Sequence, residues 1–329
     1  MAAALNLRIA ADHFESIRAL IDGSITPKGI QLAFQPHMTN PVRHRAMVID
    51  LAFDVCELNV CTYLVARDQG VPLTAIPVFL FRRFRHGNIF INPRSGIREP
   101  GDLVGGRIGC PSMEAASNVW IHGILQDDGV LPHRSVNWVV EREEDIAFTP
   151  PPDLRMQRGP SGRSVVELLM AGEVDAVSTP QTPRELLAGD PRIGRLFEDY
   201  VARERQYFLR TGLFPIMHIT ALPSALVARE PWIVASLMDA FEASKQVANA
   251  HFSDVRVGPL AWFGAQWEEE RRLFGADAWP YGMTDINRRN LETIIRYTYE
   301  QGLISRKMTI EELFTPLAGN AQGVADRRC

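Results

Sequence analysis

Long apolar runs are missing from these 329 residues. None approaches the ~18 consecutive apolar residues a membrane-crossing helix needs, so a membrane is not an expected partner. A basic excess is missing too: 35 Lys and Arg stand against 39 Asp and Glu, for a net charge of -4 and a pI near 6.1. Nucleic acid therefore finds no electrostatic footprint. Cysteine is scarce, and the four present (Cys56, Cys61, Cys110, Cys329) have no CxxC spacing, so reduced and mostly buried thiols are expected rather than a redox or zinc motif. The eight histidines include no HExxH and no pair four apart. GxSxG, Walker and dinucleotide signatures are absent, and "GGRIG" lacks the spacing of the last. No local motif points to a cofactor, and a divalent metal held by distant residues stays open. The opening "MAAALNLRIAADHF" is broken by Asn6 and Arg8 and shows no charged leader before an apolar core, so a cytoplasmic protein is expected.

What is present is an ordinary globular composition, 46% hydrophobic and 22% charged, long enough for two lobes with a core each. Strand and helix patterns alternate: "LNLRIAAD", "IQLAFQPH", "FDVCELNV" and "LTAIPVFLF" read as strands, with helices between them that stop at Gly23 and Gly70. Such alternation implies a mostly parallel sheet whose ligands bind at the carboxyl ends of the strands. That places Asp12, His37, Asn59 and Arg82 on one rim. "NPRSGIREPGDLVGGRIGC" is punctuated by Pro and Gly and marks a change of lobe. Behind it "PSMEAASNVWIHGIL" reads as a helix opening at Pro111 or Ser112, and the Pro-rich residues 149 to 163 read as a surface loop. The order fits an α/β, two-lobed, type II periplasmic-binding-protein-like fold with a ligand cleft between lobes. Residues 1–100 and 215–329 form the first lobe and 101–214 an inserted second, with hinges near 93–101 and 210–222.

"VFLFRRFRHGNIFIN", residues 78 to 92, sets Arg82, Arg83, Arg85 and His86 between two strand-like stretches. A guanidinium pairs bidentately with a carboxylate, so Arg82 and Arg85 are candidate anion clamps; three positions apart on a strand, they would point to opposite faces. The plain alternative is a solvated edge. His86 and His218 can each carry a proton near neutral pH, although either could equally be structural. Glu57 and Asp54 flank a strand as bases or as partners of the arginines. Asn59 stands at that strand's end, where ligand hydrogen bonds are expected. The helix start at Pro111 to Glu114, with Ser112, is either an anion site or a simple cap.

The blocks "FDVCELNVCTYL", "AIPVFLFRRFRHGNIFIN", "TGLFPIMH", "PWIVASLMDAFEASK", "WPYG" with "NRRNLE", and "YEQGL" with "EELF" occur in order from about residue 5 to residue 316. In them the chain resembles the 4,5-dihydroxyphthalate decarboxylase family. The resemblance implies a cytoplasmic carboxy-lyase of aromatic catabolism, releasing CO2 from a hydroxylated aromatic acid. The expected site is catalytic His86, His218 and Glu57, with Arg82, Arg85, Asn59, Ser112, Asp12 and His37 around a small aromatic carboxylate. "CPSMEAASNVWIHG" departs from the family pattern at or near Met113, Ala116 and His122, as does "WVVEREED". The alternative is a non-catalytic solute-binding or sensory protein for such a carboxylate. The two part on whether the imidazoles of His86 and His218 face the pocket. A homo-oligomer stays open.

Overall fold

Two mixed β-sheets organise the chain in the computed structural model, which describes residues 4–316; Cys329 lies outside them. Strands β1 (Leu5–Ala10), β2 (Ile30–Phe34), β3 (Val55–Asn59), β4 (Leu73–Arg82) and β11 (Ile216–Pro223) form the first, in the order β2-β1-β3-β11-β4. Strands β5 (Ile89–Ile91), β6 (Arg107–Cys110), β7 (Asn137–Val140), β8 (Met156–Arg158), β9 (Ala176–Ser178) and β10 (Gly194–Arg195) form the second, in the order β10-β5-β9-β6-β7-β8. β1 to β3 run parallel, and β11 returns antiparallel between β3 and β4. All five residues of β3 are buried, and β4 is buried along most of its length, as expected of strands covered on both faces. β3 passes directly into the helix Val60–Asp68 because Asn59 caps it: its Oδ1 accepts from the N–H of Cys61 at 2.8 Å.

Three elements differ from the sequence reading. β5 pairs with β9 in the second sheet, so the first crossing between sheets falls at residues 83–88 instead of near 93–101. The helix expected from Pro111 begins at Ala116. The carboxylate of Glu144 takes the N–H groups of Met113 (2.8 Å) and Glu114 (3.1 Å), and this holds the preceding residues out of the helix. Within the Pro-rich stretch, β8 forms as an edge strand on β7; its own residues carry no Pro, so the ladder is unbroken.

The largest buried cluster draws on both sheets, including Leu58, Phe79 and Ile219 of the first and Ile108, Trp138 and Ala176 of the second. Trp120 ties them, donating its Nε1–H to the carbonyl of Ile216 at 2.8 Å. The helix Asp285–Glu300 sets Tyr297 edge-on against Trp120, ring centroids 5.6 Å apart. A second cluster joins the other face of the first sheet, through Leu7, Val55 and Val78, to Leu237 and Phe241 of the helix Ile233–Phe252. Among the described residues no helix is long and apolar enough to cross a membrane.

Candidate active site

The carboxyl ends of β3 and β4 and the loops that follow β6, β7 and β9 meet around a cavity of about 200 Å³. Strand ends are where sheets of this kind bind ligands. Larger hollows of about 750 and 340 Å³ lie elsewhere, one along Gln69, Tyr299 and Leu303 and one between Phe14 and Trp267. Neither is lined by a histidine, so the smaller cavity is the chemical candidate.

His218 enters this cavity from β11, opposite Asn59 of β3 and Phe81 of β4. The β11–β4 register slips on both sides of His218, an irregularity of the kind that re-aims a side chain within a ladder. Its Nδ1 is paired with Oε1 of Glu57, and Nε2 has no protein partner among the described residues. Oε2 of Glu57 accepts from Arg43 Nη2 at 3.0 Å and from the backbone N–H of Asp12 at 2.7 Å. Burial works against the Glu57 charge, but His218 and Arg43 outweigh it and hold the carboxyl at about 2. Glu57 is therefore a fixed anion that orients the imidazole, as in a carboxylate–histidine pair. It does not line the cavity, so it reaches it only through His218.

Arg85 also reaches the wall. The chain leaves β4 at Arg82 and turns at Arg85 (φ -132°, ψ 2°) into one 3-10 turn, His86–Asn88. Strand alternation ends there, and the two arginines part. Arg85 is 2% exposed; it donates to the Pro180 carbonyl at 2.9 Å and to the Met217 sulfur at 3.3 Å, and it has no carboxylate partner among the described residues. Burial, with Arg83 adding to it, pushes its guanidinium down to about 9. A buried cation without a counter-ion at a cavity wall is a place for an anion.

Other expected residues lie elsewhere. Arg82 is turned away and donates to the carbonyls of Phe214 (3.1 Å) and Pro280 (3.4 Å) and to Asn287 Oδ1; it is a structural brace. His86 is buried against Tyr207 and Phe197, centroids 5.4 and 6.4 Å away, outside the cavity lining, because the 3-10 turn carries it toward the helix Tyr200–Thr211. Ser112 is fully buried and accepts from Arg142 Nη2 at 3.2 Å, behind the wall. Asp12 takes Arg43 Nη1 at 2.9 Å and supports Glu57 from the far side. His37 is exposed, 3.8 Å from Asp12. Asn59 does line the cavity, with its carbonyl oxygen committed to the cap.

Sequence reasoning missed Arg43, His44, Arg142 and Asp145. His44 and Arg142 line the cavity. His44 Nδ1 lies 3.3 Å from Asp145 Oδ2, and Asp145 accepts from Arg142 Nη1 at 2.8 Å. The rings of His44 and His218 meet edge to face, centroids 5.4 Å apart. One signal was available: His44 stands three and four residues before Met47 and Val48, on the buried face of the helix Asn40–Asp50. Among the described residues no three His, Cys, Asp or Glu side chains are grouped as a metal ion would need.

No family model matches the chain. Solved structures similar to it include the alkanesulfonate-binding protein SsuA from Xanthomonas axonopodis pv. citri bound to MOPS (TM-score 0.56, 15% identity, 94% of this chain and 98% of that one). Another is the periplasmic aliphatic sulphonate binding protein SsuA from Escherichia coli (TM-score 0.57, 12% identity, 96% and 94%). At these identities the likeness is one of fold, and it shows the two-lobed α/β architecture. Similarity in sequence runs to 4,5-dihydroxyphthalate decarboxylases. That of Pseudomonas putida is 34% identical over 202 residues, 59% of this chain and 78% of the relative. That of Comamonas testosteroni is 33% identical over 321 residues, 95% of this chain and 97% of the relative. An agreement that runs the length of both chains makes this protein a member of the 4,5-dihydroxyphthalate decarboxylase family.

Proposed function

We propose that the protein removes a carboxylate as CO2 from a small hydroxylated aromatic acid, 4,5-dihydroxyphthalate or a close analogue, bound in the cavity between the two sheets. The observation that carries this reading is one wall holding both a buried guanidinium, Arg85, with no carboxylate partner among the described residues, and an imidazole, His218, backed by a fixed anion. Family membership supports the same chemistry. A retained carboxylate sits on Arg85, and Phe81 and Met217 supply an apolar wall, which favours loss of a charged group as neutral CO2. His218 Nε2–H gives its proton to the ring carbon bearing the departing carboxylate. The electron pair for that C–H bond comes from the ring, pushed by a hydroxyl ortho or para to it. The C–C bond to the carboxylate then breaks, CO2 leaves, and the pair returns to the ring. His218 recovers a proton from solvent, so one proton is taken up and one CO2 released. The net charge of -4 suits a small-molecule partner over nucleic acid, and the cytoplasm is the proposed place of work.

Incubating the purified protein with hydroxylated benzoates and phthalates while measuring CO2 tests this. Release is expected from rings with a hydroxyl ortho or para to a carboxylate, fastest where a second carboxylate can occupy Arg85. Tight binding of such acids with no CO2 from any of them would make the protein a solute-capturing one.

A further inference from the structure

We infer that His44, held by Asp145, is the base that takes the proton from the substrate's ring hydroxyl, while His218 supplies the proton to the ring carbon. This rests on the decarboxylase reading above. Two imidazoles line the cavity, each paired with a carboxylate outside the lining, His218 with Glu57 and His44 with Asp145, and the rings meet edge to face. They are built differently. Glu57 also carries Arg43 and the Asp12 N–H, and it faces His218 from within one sheet. Asp145 belongs to the loop after β7, in the other sheet, and is shared with Arg142.

Nδ1 of His44 has the carboxylate as acceptor, which fixes its proton there and leaves Nε2 a lone pair. That Nε2 is buried and has no hydrogen-bond partner among the described residues. A buried acceptor without a donor costs free energy unless a ligand supplies one. On an aromatic acid ionised at neutral pH, the ring hydroxyl is the only such donor. Burial, with His218 and Arg43 nearby, keeps the His44 imidazole neutral, down to about 4, against the opposing pull of Asp145. An acid and a base set apart by their surroundings are the usual division of labour in proton-transfer sites. In the step itself His44 Nε2 takes the hydroxyl proton, the oxygen's electron pair raises electron density at the carbon that His218 protonates, and the proton returns to oxygen once CO2 has left.

Kinetics of His44→Gln and Asp145→Asn on 4,5-dihydroxyphthalate between pH 6 and 9 test this, with His218→Gln as reference. At pH 7, kcat of His44→Gln should fall roughly a hundredfold with KM changed only a few-fold. The deficit should shrink as rising pH ionises the hydroxyl in solution, because the missing base is then less needed. Asp145→Asn, a change at the positioning residue, should show the same narrowing; if His44→Gln does not fold, this variant decides alone. The groups facing His44 are Asp145, His218 and Arg43, with Arg142 behind Asp145, and the readout is the substrate's own hydroxyl. His218→Gln should stay impaired across the range. A deficit in the His44 and Asp145 variants that is flat with pH, or none at all, overturns this inference while leaving the decarboxylase reading intact. A parent that releases no CO2 overturns the earlier reading instead.

Discussion

Arg82 and Arg85 are the same residue type three positions apart, both 2% exposed, and they stand in different surroundings. Arg85 has no carboxylate partner among the described residues, so Arg85→Ala should weaken binding of a dicarboxylate by roughly thirtyfold or more, as loss of one partner of a buried charge pair costs about 2 to 5 kcal/mol. Titration calorimetry on the variant reads this. Arg82 donates from its terminal nitrogens to two carbonyls and Asn287; Arg82→Ala should leave Kd within a few-fold and cost about 3 kcal/mol of stability through the lost charged hydrogen bonds, seen as a lower urea midpoint. The sequence offered both as candidate anion clamps on opposite faces of a strand, but the turn at Arg85 that separates the two depends on the second sheet. His44 and Asp145 were harder still, because 101 residues separate them. Histidine burial makes a further expectation. His44 and His86 are pushed down to about 4 and His133 to about 3, each by burial first. As pH falls below about 6.5 the unfolded chain takes up protons that the folded chain does not, so stability is complete above that pH and declines toward pH 4. Below about 4.5 the protonation of Glu57, held at about 2 in the fold, adds in the same direction. Thermal midpoints from pH 7.5 to 4.5 should drop, and His133→Phe should flatten the slope; a midpoint constant over that range contradicts it.

Helices show where local pattern suffices and where it does not. The helix Ile233–Phe252 was legible because its buried residues recur at helical spacing with Pro231 just ahead of it. The helix Ala116–Asp127 was legible in existence but not in its start, since Glu144, thirty residues onward, captures the N–H groups that would have begun it. Its position is fixed by contact with the helix Asp285–Glu300, where Gly123 lies against the Tyr297 ring. On an exposed helix, Gly→Ala would gain up to about 1 kcal/mol. Here a Cβ on Gly123 would run into Tyr297, so Gly123→Ala should instead destabilise by about 1 to 3 kcal/mol. Circular-dichroism melts decide the sign, and a stabilised variant would show that the two helices are not in close contact.

On the scale of the whole molecule, the two sheets share a buried core beneath the cavity while presenting to it different pieces of the site. His218, His44 and Arg85 belong to the first sheet and its exits, Arg142 and Asp145 to the second. The binding-protein fold was legible from the order of strands and the family blocks. The meeting of two imidazole–carboxylate pairs was not, because it exists only once the sheets are brought together. This cavity is proposed to turn carboxylate capture into proton-coupled loss of CO2 through His218. The most direct measurement is turnover of 4,5-dihydroxyphthalate in D2O, with CO2 quantified and the product read by NMR. The parent should release one CO2 per ring and place deuterium at the vacated carbon, and His218→Gln should do so about two to four orders of magnitude more slowly at nearly unchanged Kd. A parent that binds the acid and yields neither CO2 nor deuterated product, or a glutamine variant that keeps parental turnover, would contradict it.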